Sequence, residues 1–526
     1  MKKTYRNLTE EEICKLRSEG CTAASWNDIM VVDDFLGSDI CNVAFTGKVY
    51  LSSNITLRNI ADLGSTGKTS FGNGTEVGVL KEDGGLEVII HDNLTSMEAA
   101  FEVQEAKSHP DLVQAMKDKA LAYAEAAVSD GSIIEEGAVV ISCLQLTDVH
   151  IGQYASIIGA TRLEDVTVNS MADAKSGIGA NVILEHVIVS TESHVTDGAQ
   201  MDNCFVGQGC HIGRMYSATQ SLFFANCHFE NGEACAYFAG PYSVSHHKAT
   251  LMIACMTSFF NAGSGSNQSN HSYKMGPNKY GQLLRGAKLG SSSYVYWPMQ
   301  IGAFSTVIMH HTGHQDLRKL PFSLITEGKD GQTHIIPAQA FRSVGTRRDA
   351  LKWPKRDKRS EGTETRRDLL NFAMLSPYTI GYVLEAVKVL KDMKASGTTT
   401  YKDCIMTEKH IDRGITLYEM AISMYLAQVL KASKGRVKTE GGTGEWTDYG
   451  GMLLPKAELI KGLAEGKSFG DMADSVAQYE YNWVASHFDI HDAETLIAEG
   501  ERAEQEWNAM LDADGERDIA ACEIDM

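Results

Sequence analysis

The residues most able to do chemistry are concentrated between positions 226 and 316. Seven of the 17 histidines fall in this range, with Asn, Ser, Gln and Lys residues between them. A histidine with a pKa near neutrality can act as a general base on an attacking hydroxyl or amine. Amides of Asn or Gln can stabilise the oxyanion that then develops. The candidates for these catalytic roles are His246, His247, Asn270, His271, His310 and His311.

Residues 261–271 read NAGSGSNQSNH, a run of small and polar side chains inside an otherwise apolar neighbourhood. Regular apolar spacing resumes at Leu289, so a free linker is not expected here. We expect an ordered loop or irregular coil, in which small residues allow a ligand or a neighbouring chain to approach closely.

A basic stretch at 342–367 holds ten Lys or Arg against four acids, a local charge of +6 in a chain of net charge −20. Such a patch can attract phosphate, a nucleotide or coenzyme A, and arginine fits phosphate with two hydrogen bonds. A solvated basic loop that pairs with acidic helices is the alternative. The substrate-binding candidates from both regions are Asn267, Gln268, Lys274, Lys279, Arg285, Arg347, Arg348, Lys355 and Arg356.

The sequence does not require a metal. If one is bound, the stretch HHTGHQD offers His311, His314 and Asp316 as ligands, since imidazole suits Zn²⁺ or Fe²⁺.

The elements that position these residues are indicated by aliphatic side chains that recur every six residues. A helix has a period of 3.6 and a strand a period of 2, so neither explains a sustained six. Stacked coils of short strands, each turning one aliphatic inward, do explain it. The series are Ile151, Ile157 and Leu163; Val189, Val195 and Met201; Val206 and Ile212; Leu289, Val295, Ile301 and Val307; and, more weakly, Val43, Val49 and Ile55.

The repeats IGQYAS, IGANVI and IGAFST resemble the left-handed β-helix of hexapeptide-repeat acyltransferases and of the C-terminal domains of sugar nucleotidyltransferases. With FFNAGSGSNQSNHSYKMGP and WPMQIGAFS, residues 1 to about 360 also resemble an uncharacterised bacterial family. Its members carry a domain of unknown function and are sometimes labelled as related to UDP-N-acetylglucosamine pyrophosphorylase. The resemblance implies a left-handed parallel β-helix.

The resemblance also implies a function, acyl transfer from acetyl-coenzyme A to a sugar, sugar phosphate or nucleotide sugar. Acyltransferases of this kind use a histidine on a coil as general base and bind coenzyme A between subunits of a trimer. His310 or His311, just after Val307, is closest in placement to that base. The alternatives are a non-enzymatic sugar- or nucleotide-sugar-binding scaffold and a metal-dependent β-helix enzyme.

Composition restricts the partners. The net charge of −20 argues against general nucleic-acid binding. The chain has no apolar run of membrane-spanning length, and the N-terminus is charged where a signal peptide is apolar. Eleven scattered cysteines favour reduced thiols. We therefore expect a cytoplasmic protein that avoids membranes. The resemblance to hexapeptide acyltransferases implies in addition a small-molecule substrate and assembly as a trimer or a multiple of trimers.

The predicted fold is mainly β, with a helical insertion rich in Ala, Glu, Lys and Leu and a C-terminal α-helical domain. The apolar stripe over 411–429 and the absence of the six-residue period after 368 indicate that domain. The predicted segments are 1–40, an N-terminal helical cap; 41–95, the first coils; 96–129, the helical insertion; 130–335, the main β-helix with an irregular polar segment at 226–288; 336–367, a basic connection; and 368–526, the helical domain.

Overall fold

The computed structural model describes residues 3–35, 38–271, 278–361, 366–433, 440–490 and 492–524, with side chains as far as residue 517. The chain forms two compact units. The first comprises Met1–Cys255 and Asp357–Asp368, and the second comprises Met256–Arg356 and Leu369–Met526. In the described part of the chain, no helix has both the length and the apolarity needed to cross a membrane.

The described residues of the first unit form a parallel β-solenoid with three α-helices. The helices are α1 (Glu10–Ser18), α2 (Ser96–Glu105) and α3 (Pro110–Ala127). The strands are β1 (Tyr5–Asn7), β2 (Thr22–Ala23), β3 (Ile29–Val32), β4 (Asp39–Phe45), β5 (Val49–Leu51), β6 (Thr56–Gly64), β7 (Glu76–Gly78), β8 (Glu87–Ile89), β9 (Ser132–Ile134), β10 (Val139–Ile141), β11 (Gln145–Ile151), β12 (Ser156–Ile158), β13 (Arg162–Val168), β14 (Gly177–Ile178), β15 (Ile183–Val189), β16 (His194–Val195), β17 (Gln200–Val206), β18 (His211–Gly213), β19 (Ser217–Phe223), β20 (His228–Glu230), β21 (Glu233–Cys235), β22 (Phe238–Ala239), β23 (Val244–Ser245) and β24 (Leu251–Ile253).

Local sequence signals set the helix starts. Thr9 and Thr95 each form a reciprocal capping box with a glutamate three residues later, and Pro110 occupies the first turn of α3. Helices α2 and α3 both lie within the range 96–129. The described residues within 1–40 differ from a helical cap, because beside α1 and a 3-10 helix at Trp26–Asp28 they hold the strands β1 to β3, and β3 pairs with β5 as part of the solenoid sheet.

The solenoid core is built by parallel strands in constant register. Leu163 pairs with Leu184 and Leu184 with Met201, and all three are at most 2% exposed. The seven-residue strands β15, β17 and β19 each bend at a fourth residue with positive φ. One coil there advances the chain by 17 residues, since Gln200 pairs with Ser217. Burial of one aliphatic column per face stabilises the stack.

The first part of the segment 226–288, which was expected to be irregular, instead forms regular coils in the first unit. Strands β20 to β24 lie in it, and β20 pairs in parallel with β23 and β21 with β24. Its core positions hold Phe229, Phe238 and Met252, each fully buried. The six-residue aliphatic count weakens here because aromatic and sulfur side chains take over the inward positions.

The second unit combines further coils with helices. Its strands are β25 (Cys255–Thr257, which begins at the boundary), β26 (Asn261–Ala262), β27 (Asn267–Ser269), β28 (Gly281–Leu283), β29 (Lys288–Leu289), β30 (Tyr294–Tyr296), β31 (Gln300–Ile301), β32 (Thr306–Val307), β33 (His310–His311), β34 (Leu324–Glu327), β35 (Thr333–Ile336), β36 (Thr400–Tyr401), β37 (Cys404–Ile405), β38 (Trp446–Tyr449) and β39 (Met452–Pro455). Its helices are α4 (Val344–Lys352), α5 (Pro377–Ser396), α6 (Glu408–Ala432), α7 (Lys456–Ala464), α8 (Phe469–Ala473), α9 (Val476–His487) and α10 (Ala493–Ile524).

The run NAGSGSNQSNH is therefore part of a coil. Residues 261–262 form β26 and 267–269 form β27, and β27 pairs in parallel with β30. Among the helices, α6 buries the stripe that its sequence shows, since Ile411, Tyr418, Tyr425 and Val429 are all at most 4% exposed. Tyr418 donates a hydrogen bond to the Pro321 carbonyl at 2.6 Å, which ties this helix to the coils of the same unit.

Candidate metal centre

Three histidines of the first unit form a ladder on the outside of the solenoid. Strand register pairs His194 with His211 and His211 with His228. The residue after each histidine points into the core, and Val195, Ile212 and Phe229 are all fully buried. Because successive side chains of a strand face opposite sides, the three imidazoles must face outward, one above another.

A second column runs beside the ladder, two residues further along each strand. Gly213 pairs with Glu230, and the pairing of His228 with Val244 places His246 next to Glu230. The Glu230 side chain is only 10% exposed. The rings of His228 and His246 meet edge to face with centroids 4.2 Å apart. The two columns therefore bring imidazoles and a shielded carboxylate together.

Glu230 Oε1 lies 3.2 Å from His228 Nε2 and 3.7 Å from His211 Nε2. The three ligand atoms lie within 4.8 Å of one another, and no other such group of three occurs in the part of the chain that the structure describes. Ligand atoms about 2.0–2.1 Å from a tetrahedral Zn²⁺ are roughly 3.3 Å apart from each other. The two separations from Glu230 bracket that spacing, and the third, between the two imidazole nitrogens, is within 4.8 Å. The three groups are therefore close enough to share one small ion.

The local electrostatics favour the protonation states that a metal needs. Burial, with the neighbouring His246, lowers the pKa of His228 to about 4. Burial and the charge of Lys358 lower the pKa of His211. Burial by itself would raise the pKa of Glu230, but the hydrogen bond with His228 and the charge of Arg214 outweigh it and the pKa falls. Two neutral imidazoles and a carboxylate are thus available at neutral pH.

Arg214 orients the carboxylate. Its guanidinium nitrogen lies 3.1 Å from Glu230 Oε2, the oxygen that does not face the histidines. Such outer partners fix the orientation of a ligand and tune its basicity.

Gly213 keeps the space beside His211 open. A Cβ at this position would lie 2.8 Å from Thr196 Oγ1 and 3.2 Å from His211 Nε2. Any larger residue would therefore crowd the nitrogen that faces Glu230. The gap where that Cβ would stand lies beside His211 Nε2, one of the three ligand atoms.

The stretch 357–361, which we call the strap, is held beside the ladder. The Asn226 side chain donates to Asp357 at 2.9 Å and accepts from the Lys358 backbone N–H at 2.8 Å. The Ser360 N–H donates to the Glu192 carboxylate at 2.9 Å. The Lys358 charge contributes to lowering the pKa of each of His194, His211, His228 and His246. The strap thus places a cation near all four imidazoles.

Of the histidines predicted as bases, the structure brings only His246 to this centre. His247 is exposed in the turn that follows, and His271 is also exposed. His310 is exposed beside Tyr294, with ring centroids 5.9 Å apart. His311 is buried, and its nitrogens lie 2.9 Å from Thr333 Oγ1 and from the Ile308 carbonyl. His311 therefore has both ring nitrogens engaged in structural hydrogen bonds.

The alternative metal ligands His311, His314 and Asp316 do not converge. His314 stacks on Tyr296 with centroids 5.1 Å apart, and Asp316 forms an ion pair with Arg318 at 2.8 Å. All three residues are described, and they do not form a group whose ligand atoms lie within 4.8 Å of one another.

The predicted substrate-binding residues are dispersed in the second unit. Asn267 is half-buried, whereas Gln268 and Asn270 are buried. Arg285 is 1% exposed, pairs with Asp448 at 3.5 Å and stacks over Phe259. Lys279 lies just after the gap at 272–277, and Lys274 lies outside the described residues. In the basic stretch, Arg347 lies over the ring of Trp507, while Arg348, Lys355 and Arg356 are exposed.

Sequence reasoning missed His211 and Glu230 and gave His228 no role. A signal for them exists in the spacing of SHV, CHI and CHF, since His194, His211 and His228 are each 17 residues apart. This is the length of one coil, and it aligns the histidines once coils rather than six-residue units are compared.

Comparison with known proteins places the chain in a family. A family described as a domain of unknown function, DUF4954, matches residues 5–57 and 50–394. The chain belongs to this family. An uncharacterised protein of Treponema pallidum (strain Nichols) is 22% identical over 456 residues, which cover 74% of this chain. The matched region spans 61% of the length of that relative.

Two solved structures show weak similarity. One is a Desulfovibrio desulfuricans G20 protein provisionally described as an acetyltransferase, at 10% identity and a TM-score of 0.14, covering 56% of this chain and 67% of the other. The second is the UDP-N-acetylglucosamine O-acyltransferase LpxA of Moraxella catarrhalis RH4, at 11% identity and a TM-score of 0.15, covering 55% and 92%. Similarity at this level carries no argument about the chemistry of the present chain.

Proposed function

We propose that this protein is a metal-dependent β-solenoid enzyme in which His211, His228 and Glu230 hold one divalent cation. The observation that carries the proposal is that three possible ligand atoms lie close together on the outer surface of the solenoid. Glu230 Oε1 is 3.2 Å from His228 Nε2 and 3.7 Å from His211 Nε2. Two imidazoles and one carboxylate suit Zn²⁺ and also Fe²⁺.

Three protein ligands leave a tetrahedral position open for water, as in catalytic rather than structural zinc sites. The gap at Gly213 lies beside that position. A zinc ion held there would lower the pKa of a bound water molecule to about 7 and so supply a nucleophile at neutral pH. Hydrolysis or hydration of a small molecule is therefore the reaction class. His246, adjacent to Glu230 and neutral at this pH, is placed to accept the proton.

Metal content tests the proposal. The protein is stripped with a chelator, reloaded with Zn²⁺, Fe²⁺ or Co²⁺ and analysed by plasma mass spectrometry. We expect one equivalent of metal per chain. His211→Ala and Glu230→Gln should each retain less than a tenth of it, because each removes one of three ligands.

His194→Ala provides the matched control, because His194 stands on the same ladder one coil before the three ligands. It should bind metal like the wild type. Equal metal content in His211→Ala and wild type, or no uptake by wild type, would contradict the proposal.

Acyl transfer from acetyl-coenzyme A to a sugar remains a second candidate, and one observation favours it. His228 Nε2 and Glu230 Oε1, 3.2 Å apart, also form a base and carboxylate pair that needs no metal. As part of this second candidate function, we also propose that the β-helix is left-handed, that the protein assembles as a trimer and that it is cytoplasmic, as the hexapeptide resemblance implies.

Coenzyme A thiol release by chelator-treated protein, with amino sugars and nucleotide sugars as acceptors, separates the two candidates. Release that persists in the metal-free protein and is lost in His228→Ala would favour acyl transfer. Its absence, with metal bound, would favour the metal-dependent reaction.

A further inference from the structure

Two cationic side chains, Arg214 and Lys358, lie beside the ladder although the chain carries a net charge of −20. Arg214 is 64% exposed and contacts Glu230 through one nitrogen, so the rest of its guanidinium faces solvent. The exposed Lys358 lies on the strap, which is fastened to Asn226 and Glu192, each two residues before a ladder histidine. Asp197 is a nearby carboxylate, which acts on His211. Asp357 on the strap is already paired with Arg359 at 2.9 Å.

Lys358 is held there by the backbone of the strap. The Lys358 N–H bonds Asn226, and the Cβ of Lys358 would lie 3.4 Å from a Cβ at Gly209, on the same side of the solenoid as the ladder. A lysine carried by a loop fastened at Asn226 and Glu192 keeps its position while its ammonium remains accessible. This arrangement suits the capture of an anion rather than a structural ion pair.

One further nitrogen belongs to His246, whose ring packs against that of His228. His246 Nε2 is shielded from solvent and has no hydrogen-bond partner among the described residues. A buried polar atom without a partner is costly, and a ligand oxygen would satisfy it.

We propose that the ligand of the metal centre carries a phosphate group, which binds with one oxygen on the cation and others on Lys358 and Arg214. This inference rests on the proposed function. A phosphate has three peripheral oxygens and up to two negative charges, so it can meet a divalent cation, an ammonium and a guanidinium at once. A carboxylate has two oxygens and one charge, and it would leave one of these cations unpaired.

Calorimetric titration tests the proposal, with inorganic phosphate and acetate as probes and the metal-loaded protein in the cell. Phosphate should bind at least about tenfold more tightly than acetate. Lys358→Gln should weaken phosphate binding about tenfold, the effect of losing one charge-assisted hydrogen bond. Metal content should stay at the wild-type level, because Lys358 is not a ligand.

Lys175→Gln is the control. Lys175 is an exposed lysine of the same unit that lies over the ring of Tyr154, and its removal changes the net charge by the same amount. It should leave phosphate binding unchanged. Equal phosphate affinity in Lys358→Gln and wild type would overturn the inference, as would a preference for acetate.

The two proposals fail in different ways. A wild-type protein that binds metal but no phosphate overturns the inference and leaves the metal centre standing. A wild-type protein that binds no metal overturns the proposed function. Phosphate titration of that metal-free sample, again with Lys358→Gln beside it, then decides whether the anion site exists.

Discussion

The ladder of the first unit and the polar segment of the second unit are built in the same way and differ in what they bring together. Both place histidines on short parallel strands. In the ladder, His194, His211 and His228 occupy the same position of successive coils, so each imidazole faces the next. In 261–316 the histidines fall at unrelated positions, and His310 and His311 are even on opposite faces of one strand, exposed and buried.

This difference shows that density of polar residues along the chain does not make a site in a solenoid. Two side chains meet when they share a column, and a column is set by the coil length. Four residues spread over 36 positions, His211, His228, Glu230 and His246, therefore form a cluster. The run at 261–271, with eight polar side chains among eleven adjacent residues, does not.

The largest effect that tests this difference is the loss of stability expected when His311 is replaced. His311→Ala should lower the free energy of unfolding by about 2–3 kcal/mol, because it removes two buried hydrogen bonds and leaves a cavity. Metal content should not change. Urea unfolding followed by tryptophan fluorescence measures the first, and mass spectrometry the second.

The neighbouring His310→Ala is the control. Its side chain is exposed, so stability should change by less than about 0.5 kcal/mol. Loss of metal from either variant, with stability intact, would break the contrast between the two regions.

The pH dependence of metal retention should also separate the ladder from ordinary histidines. Protons compete with metal only when the imidazole is protonated, and burial with His246 has lowered the pKa of His228 from 6.5 to about 4. Retention should therefore persist through pH 6 and fall as the pH approaches about 4–5. Dialysis at stepped pH with metal analysis gives the midpoint.

The lowered pKa of His228 also makes the stability of the metal-free protein depend on pH. His228 takes up a proton near pH 6.5 in the unfolded chain and only near 4 in the folded chain. The stability that depends on a neutral His228 is therefore lost as the pH falls between these values. His246→Asn removes a neighbour that lowers the pKa of His228 and should move the retention midpoint upward. A midpoint already near 6.5 in wild type would argue against shielded ligands.

The smallest predicted effect concerns Gly213. Gly213→Ala should weaken metal binding about tenfold, comparable with the loss of an outer partner of a metal ligand. The cause is the added Cβ, 2.8 Å from Thr196 Oγ1 and 3.2 Å from His211 Nε2. The double variant with Thr196→Ala should recover part of the loss, and Thr196→Ala alone should bind metal normally. Competition with a chromogenic chelator gives the affinities.

Much of the architecture followed from the sequence. The six-residue spacing of Ile151, Ile157 and Leu163 predicted stacked coils, and all three residues are fully buried. The helix formers of 96–129 predicted α2 and α3. These features are readable because burial of aliphatic residues and helix propensity act over short stretches of chain.

The candidate metal centre was harder to predict from the sequence. His246 was singled out for its polar neighbours, yet its partners Glu230 and His228 are aligned with it only through strand pairing. The basic stretch was predicted to attract an anion or to be a solvated loop, but Arg359 within it is buried against Asp357, whereas the exposed Lys358 is anchored beside the ladder through Asn226. Local charge counts do not distinguish these two neighbours.

The sequence by itself determined that the chain winds into coils, because each coil buries its own aliphatic positions and repeats them. The tertiary structure decided which outward residues meet, since that depends on the 17-residue advance between paired strands and on where the strap is fastened. Inward positions are specified one at a time by hydrophobicity. Outward-facing side chains meet only between neighbouring coils, so the register of the paired strands decides which of them can form a site.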